Sequence, residues 1–208
     1  MASLLKIDVS PRGDASYSRQ IGNTFTQSWQ AAHSGGTVVT RDLAKDQPTY
    51  VDIQWIAGAF SKPEDLTDEH KAALKLSNDI IAEVQAAETI LITTPMYNFQ
   101  VPAVLKAWID HLVRIGITVN YTDKGPVGQL TGKKAVLIVA SAGAYDKGSP
   151  SEAYDLLTPY MKHVLGFIGI TDVQVISAGG ASGVQYGKIS EAEWKKPFDE
   201  QASQLATA

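Results

Sequence analysis

Apolar residues fall in two rhythms along the chain. Short apolar-rich runs occur at Leu4 to Val9, Thr37 to Leu43, Thr89 to Thr94, Ala135 to Ala140 and Val173 to Ser177. Such runs read as strands of a covered sheet. Between them lie longer stretches in which apolar residues recur every three or four positions, the spacing of one helix face. From Ser18 to His33, Ile21, Phe25 and Trp29 are spaced by four. Thr67 reads as an N-cap, with Asp68 and Glu69 favourable in the first turn and Leu74, Ser77, Ile81 and Val84 along one side. After Pro102 come Leu105, Trp108, Ile109, Leu112 and Val113. A further helix carries Tyr160, Met161, Val164, Leu165 and Ile168, with Pro159 near its start, where proline is tolerated. A polar-faced helix runs from about Ser190 to Leu205.

Breaks separate these elements. Gly35-Gly36 stops the first helix, and Gly116 is expected to end the helix after Pro102 in the left-handed conformation. Ile117 to Tyr121 reads as extended, and Thr122 to Pro126 as a turn. Ala44 to Leu66 is long for a connection, so it is either functional or partly helical. Its Trp55 and Phe60 suit a dimer contact or burial against the chain's own helices equally well.

Five strands with intervening helices predict a doubly wound parallel sheet with helices on both faces. The flavodoxin-like order 2-1-3-4-5 places a ligand crevice between the first and third strands. The two most distinctive loops follow those strands, which favours this order. The 208 residues suffice for one such domain, spanning 1–208.

Composition narrows the function. Hydrophobic residues make up 44% and charged ones 19%, a globular balance. A net charge of -4 argues against a nucleic-acid footprint. No apolar run is long enough for a bilayer, and the charged first strand is not a signal peptide. Cysteine is absent, which removes disulfides and thiolate sites and makes the cytoplasm the expected location. His33, His70, His111 and His163 show no metal-ligand spacing with carboxylates, so no metal is expected. His111 reads as a helix-face partner of Asp110.

Three loops carry the candidate chemistry. After the first strand, Ser10 to Ser18 holds serines at 10, 16 and 18 with Arg12, just before a helix. Hydroxyls and free N–H groups at a helix start suit an anion, with phosphate foremost. Ser16 or Ser18 equally reads as a plain helix cap. After the third strand, Pro95 ends the ladder, and Met96, Tyr97, Asn98 and Phe99 form a soft, partly aromatic loop suited to a flat aromatic ligand. Packing is the plainer reading of that loop. After the fourth strand, Ser141, Ala142, Gly143 and Ala144 are small enough to admit a ligand to the backbone, or form an ordinary turn. Neither G-x-G-x-x-G nor a P-loop is present, and no G-x-S-x-G elbow or acid–base pair stands out. No side chain is assigned a catalytic role.

At these residues the chain resembles the FMN-dependent NADH-azoreductases, relatives of the NAD(P)H:quinone oxidoreductases. The likeness covers essentially the whole length. It is carried by P-M-Y-N-F at Pro95 to Phe99, Y-T-x-x-G-P at Tyr121 to Pro126, L-x-G-K-K-A at Leu130 to Ala135, and L-G-F-I-G-I-T-D at Leu165 to Asp172. The resemblance implies a homodimer with FMN at the interface, NADH or NADPH as electron donor, and quinones or azo compounds as acceptors. By position, Ser10, Ser16, Tyr17 and Ser18 would hold the phosphate and ribityl end. Pro95, Met96, Tyr97, Asn98 and Phe99 would border the isoalloxazine ring. Ser141, Ala142, Gly143 and Ala144 would meet its other edge, and Tyr121 and Phe167 would line the substrate pocket. The family loop is usually S-x-G-G-x-Y, so Ala144, whose Cβ disfavours positive φ, departs from it, and Ala142 supplies no cation. Two other classes fit the loops without the resemblance: an electron-carrying flavodoxin and a phosphate-ester hydrolase.

Overall fold

The computed structural model describes residues 2–208. Five parallel strands form one sheet: β1 (Ser3–Asp8), β2 (Thr37–Asp42), β3 (Thr89–Pro95), β6 (Lys134–Ala140) and β7 (Asp172–Ala178), in the order β2-β1-β3-β6-β7. This is the expected order, once a two-stranded hairpin between the third and fourth sheet strands is counted. That hairpin pairs β4 (Val119–Thr122) with β5 (Gly125–Gly128).

Alternation along the strands sorts the core into two clusters. Leu5, Ile7, Ile90, Ile92, Leu137 and Val139 pack with side chains of α3 (Asp68–Ala86), α4 (Ala103–Leu112) and α5 (Leu157–Phe167). Leu4, Leu91, Val136, Ile138 and Ile176 pack with α1 (Tyr17–Ala32) and α7 (Glu191–Thr207). Because side chains alternate with period two, β1, β3, β6 and β7 each feed both clusters. The face of α1 read from Ile21, Phe25 and Trp29 is buried, as are Leu74, Ser77, Ile81 and Val84 of α3. Thr67 caps α3 by accepting from the His70 N–H.

Several local expectations need correction. The helix after Pro102 ends at Leu112, with Val113 as its extended C-cap. Gly116 does take positive φ, at 84°, but in the turn beyond, where its N–H donates to the Val119 carbonyl. Thr122 to Pro126 is more than a turn, because Gly125 and Pro126 already belong to β5. The 44–66 segment contains α2 (Ile53–Phe60), capped by Asp52. Trp55 is buried edge-on to His111, whereas Phe60 is 70% exposed, so the two aromatics part company. His111 is no surface partner of Asp110. It is buried and its Nε2 bonds the Thr49 carbonyl, while Asp110 pairs with Lys106 one turn back. Position 111 falls on the inward side of α4, and inward polarity requires a local partner. A short helix, α6 (Ser182–Gln185), follows β7, too short to leave a helical period in the sequence. No helix among the described residues is long and apolar enough to cross a membrane.

Candidate functional site

A cleft of about 510 Å³ opens at the carboxyl ends of β1, β3 and β6. Parallel strands end there together, so the loops that leave them converge on one rim. The loop after β1 contributes Ser10, Arg12 and Ser16, and the start of α1 adds Tyr17 and Ser18. Pro95, Met96 and Tyr97 come from the end of β3 and its loop, and Ala140, Ser141 and Ala142 from the end of β6.

The first wall is built for hydrogen bonding. Ser16 is the N-cap of α1, its Oγ accepting from the Arg19 N–H at 3.4 Å. Capping and cleft-lining are therefore the same residue's work. Ser16 Oγ lies 3.2 Å from Ser18 Oγ, and Ser10, Ser16 and Ser18 are all buried. Tyr17 and Ser18 open the helix, so their N–H groups have no intrahelical acceptor. Donors gathered at the positive end of a helix dipole suit an anion.

Charges beneath this wall are paired off. Asp8 accepts from Thr93 Oγ1 at 2.7 Å and lies 3.1 Å from Lys6 Nζ. Lys6 in turn donates to Asn23 Oδ1. Arg19 donates to the Ser10 carbonyl at 3.2 Å, which ties the helix to the start of the loop. Hydrogen bonding to Asp42 raises the Arg19 pKa against the opposing effect of burial, with Asp8 assisting, so the guanidinium stays charged.

The second wall is a tight turn. Tyr97 and Gln100 exchange two backbone hydrogen bonds, both 3.0 Å. The residues between them, Asn98 and Phe99, have φ of 49° and 69°, as a type I′ turn requires. Asn tolerates this region, whereas a bulky Phe is strained there. Phe99 is held by rings at 5.5 Å (Tyr154) and 6.1 Å (Tyr145), and its carbonyl accepts from the Leu156 N–H. The Met96 N–H is engaged by the Ala140 carbonyl.

The third wall presents its N–H groups. The carbonyls of Ser141, Ala142 and Gly143 accept from the N–H groups of Ala181, Ser182 and Gly180. The N–H groups of Ala142, Gly143 and Ala144 have no acceptor among the described residues. Ala144 does not have positive φ, so its Cβ brings no strain of the kind anticipated.

The cleft thus gathers Ser10, Ser16, Tyr17, Ser18, Pro95, Met96, Tyr97, Ser141 and Ala142. Asn98, Phe99, Gly143 and Ala144 belong to the same loops but do not line it, and Ala144 faces a separate depression with Asp146 and Phe198. Tyr121 is 62% exposed on the hairpin, and Phe167 is half-buried against the α3–α5 core; neither lines the cleft. Ala181, Ser182 and Gln185 line it as well. They sit on and just before α6, a helix too short to show periodicity, so no sequence signal pointed to them. No cluster of His, Cys, Asp and Glu among the described residues could hold a metal ion.

Comparison with known proteins agrees with this geometry. A family model described as "Flavodoxin-like fold" matches residues 2–200. An FMN-dependent NADH:quinone oxidoreductase 2 of Jannaschia sp. (strain CCS1) is 45% identical over 190 residues, covering 91% of this chain and 92% of that protein. An FMN-dependent NADH:quinone oxidoreductase of Acidobacterium capsulatum is 40% identical over 206 residues, covering 99% and 100%. Among solved structures, the azoreductase from Bacillus anthracis str. Sterne superposes with a TM-score of 0.89 at 28% identity, covering 100% of this chain and 99% of that one.

Proposed function

The chain belongs to the flavodoxin-like-fold family, and from that premise we propose that it is an FMN-dependent NADH:quinone oxidoreductase that also cleaves aromatic azo compounds to amines. The observation that carries this reading is the meeting of three loops around one cleft, with buried hydroxyls and free helix-start N–H groups at one end and Pro95, Met96 and Tyr97 at another.

These residues fit FMN. The phosphate would be held by the hydroxyls of Ser10, Ser16 and Ser18 and the N–H groups of Tyr17 and Ser18. The flat ring would lie against Pro95, Met96 and Tyr97. The free Ala142 N–H on the opposite wall would favour negative charge on the ring, an oxyanion-hole type of effect. Bound FMN supplies the two-electron chemistry that the side chains lack. The chain's part is to bind, orient and tune, which accords with a cleft holding no carboxylate and no histidine.

Donor and acceptor are read as occupying one place in turn, a ping-pong order with NADH (or NADPH) first and a quinone or azo compound second. We read residues 1–208 as one doubly wound cytoplasmic unit that works as a homodimer. Exposed Tyr50, Ile53, Ile56 and Phe60 support a partner surface. Tyr121 and Phe167 are then assigned to substrate contact in the cleft of a second copy, which accords with Tyr121 being exposed on the hairpin.

The test is direct. The purified protein is expected to be yellow, to bleach with NADH without air, and to recover colour with a quinone. Steady NADH oxidation with a quinone separates this reading from an electron carrier. A colourless protein that releases phosphate from esters without reductant would replace it with a hydrolase.

A further inference from the structure

We propose that Arg12 is the residue that selects the phosphorylated form of the flavin, giving the cleft a preference for FMN over riboflavin. The proposal rests on reading the cleft as an FMN site. Of the residues that line the cleft, Arg12 alone carries a formal charge. It is exposed at the lip, and its guanidinium carbon lies 5.2 Å from the centroid of the Tyr17 ring, itself part of the lining. Among the described residues it makes no ion pair. Its neighbour Arg19 differs, since Asp42 and Asp8 offset that charge from within.

The rest of the wall does not discriminate in the same way. Serine hydroxyls accommodate any oxygen-rich tail, a neutral ribityl alcohol included, and helix-start N–H groups favour an anion only through partial charges. A phosphate differs from that alcohol by up to two negative charges, and a full cation responds to the difference more strongly than partial charges do. Arg12 is anchored for the task. Its N–H donates to Ser10 Oγ at 3.3 Å, and its carbonyl accepts from the Ala15 N–H at 3.2 Å. The Tyr17 face beneath the guanidinium limits where the planar fork can go. Ser10 Oγ, accepting from Arg12, keeps its own proton to donate.

The experiment titrates FMN and riboflavin separately into the flavin-stripped full-length chain, following flavin fluorescence at low and moderate salt. Wild type, Arg12→Gln and Arg12→Lys are compared. Arg12→Gln is expected to weaken FMN binding about three- to tenfold at low salt while riboflavin stays within about twofold, because the charge-assisted contact is lost but little packing is. Salt dependence of FMN binding should flatten in that variant, and Arg12→Lys should recover part of the loss. Matching flavin-free melting temperatures would exclude misfolding as the cause. Equal losses for both ligands, or an unchanged FMN-to-riboflavin ratio, would overturn the proposal. A wild-type chain that binds neither flavin would overturn the reading of the cleft first, and this inference with it.

Discussion

Arg19 donates from Nη1 and Nη2 to the two carboxylate oxygens of Asp42, at 2.8 and 3.1 Å. The pair joins the first turn of α1 to the end of β2, directly beneath the serine-bearing loop. Both side chains are largely buried, so the fork geometry compensates two desolvated charges. Burial alone would oppose ionisation of Asp42. The Arg19 hydrogen bond, the Ala44 N–H and the charges of Arg19 and Lys45 outweigh it, and hold the carboxyl below the usual carboxylate range.

A pH dependence follows from that direction. With the folded pKa below the unfolded one, the unfolded chain binds more protons in acid. The pair's contribution is complete above the unfolded value, about 4, and is lost as pH falls through the folded value. Asp42→Asn should therefore lose about 2 kcal/mol at pH 7, since it removes the charge-assisted fork and leaves only Asp8 at 3.6 Å to offset the buried guanidinium. The gap from wild type should narrow in acid. Urea unfolding of both proteins at neutral and acid pH checks the trend; a pH-independent gap would contradict it.

Substitutions at Ser16 should separate its two roles. Asp is as good an N-cap as Ser, so Ser16→Asp keeps α1 intact but sets a carboxylate against the anion site. Ser16→Ala loses the cap, about 1 kcal/mol, without adding charge. The Asp variant is expected to melt near wild type and purify without flavin colour, whereas the Ala variant melts lower and retains some. Full flavin occupancy in Ser16→Asp would remove this loop from the site.

Gly22 brings α1 close to the sheet. A Cβ built there would lie 2.4 Å from Thr93 Cγ2. Gly22→Ala should destabilise by about 1–3 kcal/mol through overpacking, although Ala is the better helix former. Thr93→Ser removes the offending methyl and keeps the hydroxyl that bonds Asp8. The double variant should regain most of the loss, and a double-mutant cycle in urea reads this coupling directly.

Phe99 lies in the left-handed region while its ring packs on Tyr145 and Tyr154. Phe99→Ala removes the ring and keeps the backbone strain; Phe99→Gly removes both. Gly should thus be the more stable of the two by about 1 kcal/mol, the reverse of their order in a helix. Equal stabilities would mean that the turn relaxes once the ring is gone.

The sheet was legible because strands covered on both faces are rich in apolar residues, and Leu4 to Val9 (Lys6 and Asp8 apart), Thr89 to Thr94 and Ala135 to Ala140 are such runs. The helices were legible because Ile21, Phe25 and Trp29, or Leu74, Ser77, Ile81 and Val84, repeat at the helical period. Loop chemistry followed, since parallel strands release their connections at one rim, and that placed the serines beside Met96 and Tyr97. Of the β4–β5 hairpin, the extended first strand was legible but the return strand β5 was not, because Pro126 and Val127 are exposed and leave no burial pattern. Only the fold decided that His111 turns inward, that Arg19 and Asp42 meet from elements 23 residues apart, and that α6 brings Ser182 and Gln185 into the cleft. Periodicity records which residues avoid water. It carries no information on which polar groups meet across distant segments, since those pairings depend on packed geometry that no local pattern encodes.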